Sequence, residues 1–289
     1  MNKLKQYPLL YKSMLRVLNA LNYFDWKFKK NYPTYQPDER WQYRIGEVVK
    51  APDNQKIEHV VDAGKIFPGY QLMHNGLKIR LGSYYDFGNT ALLEQNKGVH
   101  EPQEEYVFQE VLKAVRPGAA MLELGSYWAF YAMWFHAEVA RARCYMVEPD
   151  PYKMNFGKLN FAFNGMQGTF IEGFIGAEKG QLSGVPVLSV DEIMQGQGLD
   201  HLAILHADIQ GYEYEMLLGA EATLQAGKVD YVFISTHSNE LHERCLEKLQ
   251  EYDYRVFADA DLDETYSWDG LIVARSALAA PVDAQISRK

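Results

Sequence analysis

Cysteine is nearly missing from this chain of 289 residues: Cys144 and Cys245 are its two, too few for a disulfide framework or a thiolate metal site. That scarcity fits a reducing, cytoplasmic setting. Missing too is any uncharged apolar run of about 18 residues, the length a bilayer-spanning helix needs, so membrane insertion is not expected. The opening stretch carries early lysines, but its apolar residues are spaced and no small-residue cleavage site follows, so no signal peptide is read there. Basic charge is short as well: 29 Lys and Arg stand against 38 Asp and Glu, a net charge of -9. A surface of that sign opposes a phosphate backbone, which excludes DNA and RNA as expected substrates. No internal repeat or low-complexity tract points to a solenoid. What remains, 47% hydrophobic and 23% charged, is an ordinary globular composition long enough for one catalytic domain with an extension.

Leu10, Met14, Val17, Leu18, Leu21 and Phe28 recur at helical steps, so Pro8 to Lys29 reads as an amphipathic helix. Its apolar stripe needs a partner, either the rest of the chain, a substrate it covers, or a second copy in a homo-oligomer. From Asn31 to Asn96 the text is irregular, interrupted by Pro33, Pro37, Pro52 and Pro68, with a strand-like piece at Leu77 to Leu81. Residues 1–98 are therefore read as an N-terminal extension of helix plus irregular cap, and residues 99–289 as the catalytic domain.

Beyond Val99, short β-rich runs alternate with helical periodicity, the pattern of a parallel sheet covered by helices. Glu104 to Val115, Trp128 to Ala140, Pro151 to Phe163, Tyr212 to Gln225 and Glu240 to Tyr252 read as helices. Ala119 to Leu124, Arg143 to Val147, Thr169 to Glu172, Leu202 to Ala207 and Tyr231 to Ser235 read as strands. Two last runs, Tyr254 to Ala258 and Leu271 to Ala274, are separated only by Asp259 to Asp269. A parallel return needs a dozen or more residues and usually a helix, so these two strands should pair antiparallel. The expected fold is α/β: a doubly wound, mostly parallel seven-stranded sheet ending in an antiparallel hairpin, the Rossmann-like class I methyltransferase variant.

Open α/β sheets bind ligands beyond the carboxyl ends of their strands, where strand order reverses. One such end is Glu123-Leu124-Gly125-Ser126-Tyr127-Trp128-Ala129, where Gly125 lets the backbone turn close to a ligand. Another is Glu148-Pro149, with Glu148 lying 148 − 125 = 23 residues on, the spacing at which a carboxylate meets the two ribose hydroxyls of an adenosine. A dinucleotide site wants three glycines so that a pyrophosphate can rest on backbone, and positions 126 to 130 hold none. An NAD-linked oxidoreductase is thus the competing reading, opposed by this loop and by the terminal hairpin.

These residues resemble the FkbM family of S-adenosylmethionine-dependent methyltransferases over His100 to Val273. The segment His100-Glu101-Pro102-Gln103-Glu104, the glycine turn, Val147 to Pro151, Asn160 and Asn164-Gly165 look like its blocks in order. So do Val187 to Ile193 and His206-Ala207-Asp208-Ile209-Gln210-Gly211-Tyr212-Glu213. The chain departs from the family at Ala129, where a glycine is usual, at His206, where a lysine is usual, and at Gln210, where a glutamate is usual. The resemblance implies S-adenosylmethionine as methyl donor, held by Glu101, Glu123, Gly125, Ser126, Tyr127, Glu148, Pro149 and Asp208. It implies O-methylation of a small-molecule or saccharide hydroxyl, with Asp208 next to the transferred methyl group. The departures leave a non-catalytic binding protein of this fold as a further alternative. His206 and His237, at or near strand ends, are candidate bases because imidazole titrates near neutrality. Asp208 with His237 is also a candidate pair for a divalent cation such as Mg. Among the aromatic residues, Trp134 is expected in the core, while Tyr84, Tyr85 and Phe87 are expected to cap the site.

Overall fold

The structure, a computed structural model, describes residues 23–289 together with Ser13, Met14 and Val17. The first part of the expected N-terminal helix, apart from Ser13, Met14 and Val17, lies outside the described residues. Its described end is α1 (Tyr23–Asn31), where Phe28 is buried against Tyr32 and Phe87 of the same chain. The stretch read as irregular is more ordered than its prolines suggest. It holds α2 (Glu39–Lys50), a small antiparallel sheet of β1 (Ile66–Phe67), β2 (Tyr70–Leu72) and β3 (Lys78–Arg80), and α3 (Phe87–Gln95). Asp38 caps α2 by accepting from the Trp41 N–H, and Asp86 caps α3 by accepting from the Gly88 N–H. Both caps follow prolines or aromatics that read as loop, which is why the helices behind them are easily overlooked.

From α4 (Pro102–Leu112) onward the expected alternation appears: β4 (Ala120–Leu124), α5 (Phe130–Glu138), β5 (Arg143–Val147), α6 (Pro151–Phe163) and β6 (Thr169–Ile171). A small second sheet of β7 (Phe174–Ile175), β8 (Gly180–Leu182) and β9 (Val185–Leu188) precedes α7 (Val190–Gly196) and β10 (Leu202–Ala207). Then follow α8 (Glu213–Leu218), α9 (Glu221–Gln225), β11 (Val229–Thr236), α10 (Asn239–Glu251), β12 (Arg255–Ala260) and β13 (Gly270–Arg275).

The helix expected over Tyr212 to Gln225 is two helices. A Cβ on Gly219 would stand 2.3 Å from the Gly176 carbonyl oxygen, the Gly219 carbonyl accepts from the Asp191 N–H, and the Asp191 carboxylate caps Ala222 and Thr223. Packing against a neighbouring segment breaks a helix that local periodicity would continue.

The seven-stranded sheet runs β12-β13-β11-β10-β4-β5-β6. Strands β6, β5, β4, β10 and β11 are parallel, and β13 slots between β11 and β12 antiparallel to both. The terminal hairpin is therefore as expected. Strand order reverses between β4 and β10, whose fully buried residues divide the core into one layer on each sheet face. In that register Glu123 of β4 stands beside His206 of β10, and Leu124 beside Ala207. Among the described residues, no helix is long and apolar enough to cross a membrane.

Candidate active site

A cavity of about 250 Å³ opens beyond the carboxyl ends of β4, β5 and β10. Its lining includes Glu101, Glu123, Gly125, Ser126, Tyr127, Glu148, Pro149 and Asp208, so the fold brings together all eight residues expected at the donor site. His206 lines it too, whereas His237 stands behind Asp208, outside the lining.

Local chemistry explains the placement. Gly125 has φ +73° and a Cβ there would sit 1.8 Å from the Asp208 carbonyl oxygen, so the two strand ends approach closely only because this residue has no side chain. Ala129 also adopts the left-handed region, φ 61°, at the start of α5. That conformation is the reason a glycine is usual there, and alanine accepts it at a cost of about 1 kcal/mol. Glu148 is buried, its two oxygens accepting from the Tyr127 N–H (3.3 Å) and the Asp150 N–H (2.8 Å). Burial raises its pKa, and those donors with Lys153 offset part of the rise.

The floor of the cavity is a set of buried carboxyl and imidazole groups. Glu123 is pushed up to about 7 by burial, against the charge of His206 and the Ala132 N–H donor. His206 Nε2 lies 2.7 Å from Glu104 Oε1, and Ser235 Oγ donates to Glu104 Oε2 at 3.1 Å. Burial lowers the His206 pKa, but Glu104, Glu123 and Asp208 more than reverse it, and the net shift is upward. Glu101 meets His100 Nε2 at 3.2 Å and accepts from the Tyr131 hydroxyl at 3.1 Å. The other nitrogen of His100 reaches Glu105 at 2.6 Å, and Glu105 reaches His74 of the extension at 2.9 Å. Burial opposes charge on His100, yet Glu101 and Glu105 hold it protonated, with a pKa of about 10.

At the mouth, His237 touches three carboxylates: Glu213 through Nδ1 (3.0 Å), and Asp208 (3.3 Å) and Asp269 (3.4 Å) through Nε2. These outweigh burial and raise it to about 10. This bears on two expectations. An imidazole that stays protonated at neutral pH has no lone pair for a cation and is no base near neutrality. Among the described residues no group of three or more His, Cys, Asp and Glu is arranged to hold a metal ion, so the Asp208 and His237 pair is an ion pair here. Asp208 is not a helix cap, since α8 begins at Glu213 without a side-chain cap.

Tyr84 and Tyr85 line the cavity as expected, Tyr84 stacked on Trp128 with ring centroids 4.0 Å apart. Phe87 does not, because it packs against Phe28, Tyr32 and Tyr35. Trp134 is core, edge-on to His74 and beside Phe108. Sequence reasoning missed Lys153, Phe174, Ile175 and Ser235 in the lining, and Glu213 and Asp269 around His237. Only Glu213 carried a local signal, as the last residue of the block that begins at His206.

Residues 155–256 match the family model described as the methyltransferase FkbM domain, which bears out the resemblance read from the motifs. The match starts in α6, so Gly125 and Glu148 precede it. No curated protein matches the chain. Many solved structures are similar to it, among them the following three. Precorrin-6y C5,15-methyltransferase from Geobacter metallireducens is 13% identical, with 60% of this chain and 89% of that chain covered and a TM-score of 0.43. Aeropyrum pernix fibrillarin, solved with natively bound S-adenosyl-L-methionine, is 18% identical over 56% of this chain and 68% of its own, with a TM-score of 0.41. TrmK of M. capricolum, solved with S-adenosyl-homocysteine, is 11% identical over 62% and 70%, again at 0.41. At these values the likeness concerns the fold alone.

Proposed function

We propose that this chain, whose residues 155–256 match the methyltransferase FkbM domain model, uses S-adenosylmethionine to methylate a hydroxyl of a small molecule or saccharide. The observation that carries the reading is the set of carboxyl groups gathered in the cavity at the strand-order reversal. Four carboxyl groups, Glu101, Glu123, Glu148 and Asp208, face into it. A sulfonium donor brings positive charge to them, whereas a dinucleotide would set a pyrophosphate against them.

The residues present fit the donor. Glu148 offers two acceptor oxygens to a ribose diol, Phe174 and Ile175 offer apolar surface to a planar base, and Gly125 leaves room where a Cβ would fill the cradle. Ser126 Oγ is buried with no hydrogen-bond partner among the described residues, a donor held ready for a ligand. When bound, the donor supplies a methyl group on a sulfonium, which an acceptor oxygen displaces in line as the carbon–sulfur bond breaks. The chain's part is to orient that oxygen and take its proton. Asp208 suits the first as a hydrogen-bond acceptor and, being a weak base, the second only once the new carbon–oxygen bond has made the hydroxyl acidic. Burial favours its neutral form, but His237 and Gln210 hold it as a carboxylate below its usual range. His237 then acts through Asp208, and the extension, residues 1–98, supplies Tyr84 and Tyr85 as a wall that excludes water.

Calorimetric titration tests the reading. S-adenosylhomocysteine should bind and NADH should not, and Glu148→Ala in a folded protein should weaken the first by about tenfold or more. Binding of NADH alone, or an unchanged affinity in E148A, refutes it.

A further inference from the structure

Two side chains that line the cavity carry a buried polar atom with neither a hydrogen bond nor an ion pair among the described residues: Ser126 Oγ and His206 Nδ1. An orphaned buried N–H or lone pair is costly, so each is expected to meet a ligand atom or an ordered water. Ser126 follows the Gly125 bend and belongs to the donor contacts already described. His206 is different in kind. Its ring is fixed on two sides, by Glu104 at Nε2, itself held by Ser235, and by the Tyr131 ring at 4.3 Å. A group held so firmly, with one nitrogen left over, is built to present that nitrogen.

The donor end of this argument is the zwitterion of the methionine moiety, so it rests on the reading above. Its ammonium has a choice of carboxylates. Its carboxylate suits a basic side chain that donates an N–H, and the cavity walls offer three candidates. His100 has both nitrogens engaged, by Glu105 and Glu101. Lys153 stands over the Tyr127 and Tyr85 rings, 5.0 and 5.7 Å from their centroids, and its charge acts on Glu148 at the ribose end. His206 stands beside Glu123 in the sheet, away from Glu148, with Nδ1 unclaimed. We infer that His206 Nδ1 holds the carboxylate of the donor's amino-acid end, and that Glu104 and Ser235 are positioning residues for it. His206 would then bind the donor and take no part in proton removal from the acceptor.

The test uses two ligands and three variants, read by calorimetry on the full chain. The ligands are S-adenosylhomocysteine and its decarboxylated analogue, which keeps the ammonium and loses only the carboxylate. Wild type should prefer the first by about tenfold or more, the range of a charge-assisted hydrogen bond. His206→Gln keeps a group near Nε2 and loses Nδ1, so it should abolish the preference while binding the analogue as wild type does. His206→Asn keeps an N–H near the Nδ1 position and should retain part of the preference. Glu104→Gln should reduce the preference without changing affinity for the analogue, an effect that general loosening of the fold would not produce. Equal weakening of both ligands in H206Q, or a preference unchanged there, overturns the inference. So does a wild type that binds both ligands equally, which needs no variant to fold. A wild type that binds neither ligand shows instead that the donor assignment itself is wrong.

Discussion

Glu123 is the cavity residue whose charge state changes near neutral pH, because its pKa of about 7 sits far above that of a free carboxyl. Below that pH it is neutral and contributes little attraction for a cationic donor; above it the carboxylate is present. Donor affinity should rise as pH increases from 6 to 8, and Glu123→Gln should flatten most of that rise, as titration across the range would show. Asp269, raised to about 7 by burial and the Asp208 charge, titrates in the same window and accounts for what remains. The stability sign is opposite: a raised carboxyl pKa favours the fold below the unfolded value and is lost as pH climbs through 7. Denaturant midpoints of wild type should therefore fall over that interval more than those of E123Q. Gly125→Ala is the sharper lesion, since its Cβ collides with backbone; a loss of roughly 2–4 kcal/mol, with donor binding gone, is expected in denaturation and titration. Gly125 and Glu148 were legible because their chemistry is local to strand ends. The upward pull on the pKa of His206 and His237 was not, since it comes from Glu104, 102 residues before His206, and from Asp269 in another strand connection.

At the scale of elements, helix α6 does more than cover the sheet. Asn160 accepts from the Arg80 N–H at 2.9 Å and donates to the Trp128 carbonyl at 3.0 Å; Asn164, one turn on, accepts from the Lys78 N–H and donates to the Lys78 carbonyl. The two amides thus complete the open edge of β3 as a neighbouring strand would, and hold the extension to the helix. Asn160→Ala strands buried backbone groups, so a loss of about 2 kcal/mol is expected, together with faster proteolytic cutting between residues 66 and 100. Equal cutting rates in mutant and wild type would count against this role. Regular elements with a clear apolar period, such as β5, α6 and β10, could be placed from the text alone, their bounds matching the structure. What could not be placed was decided by contacts: α2 fully buries just Arg44, Ile45 and Val48, and the break at Gly219 exists because of Gly176.

Across the whole molecule, the extension and the sheet domain share one polar skeleton. His74, Glu105, His100 and Glu101 form a buried chain from the β2–β3 turn to the cavity, and Asp53 is buried under the Ser287 N–H and hydroxyl. Ser287→Ala removes one of the bonds to that carboxylate, and calorimetry should show a melting temperature lower by about 2–4 °C with donor affinity unchanged. A shift confined to donor binding would contradict a purely architectural role. The insertion of β13 between β11 and β12 has a consequence for how the chain assembles. Strand β12 is made before the one neighbour it pairs with among the described residues, so it cannot join the sheet until residues 270–275 leave the ribosome. Closure of the sheet is thus a late, non-local event, and a nascent chain halted before Gly270 would expose the bare edge of β11 to aggregation.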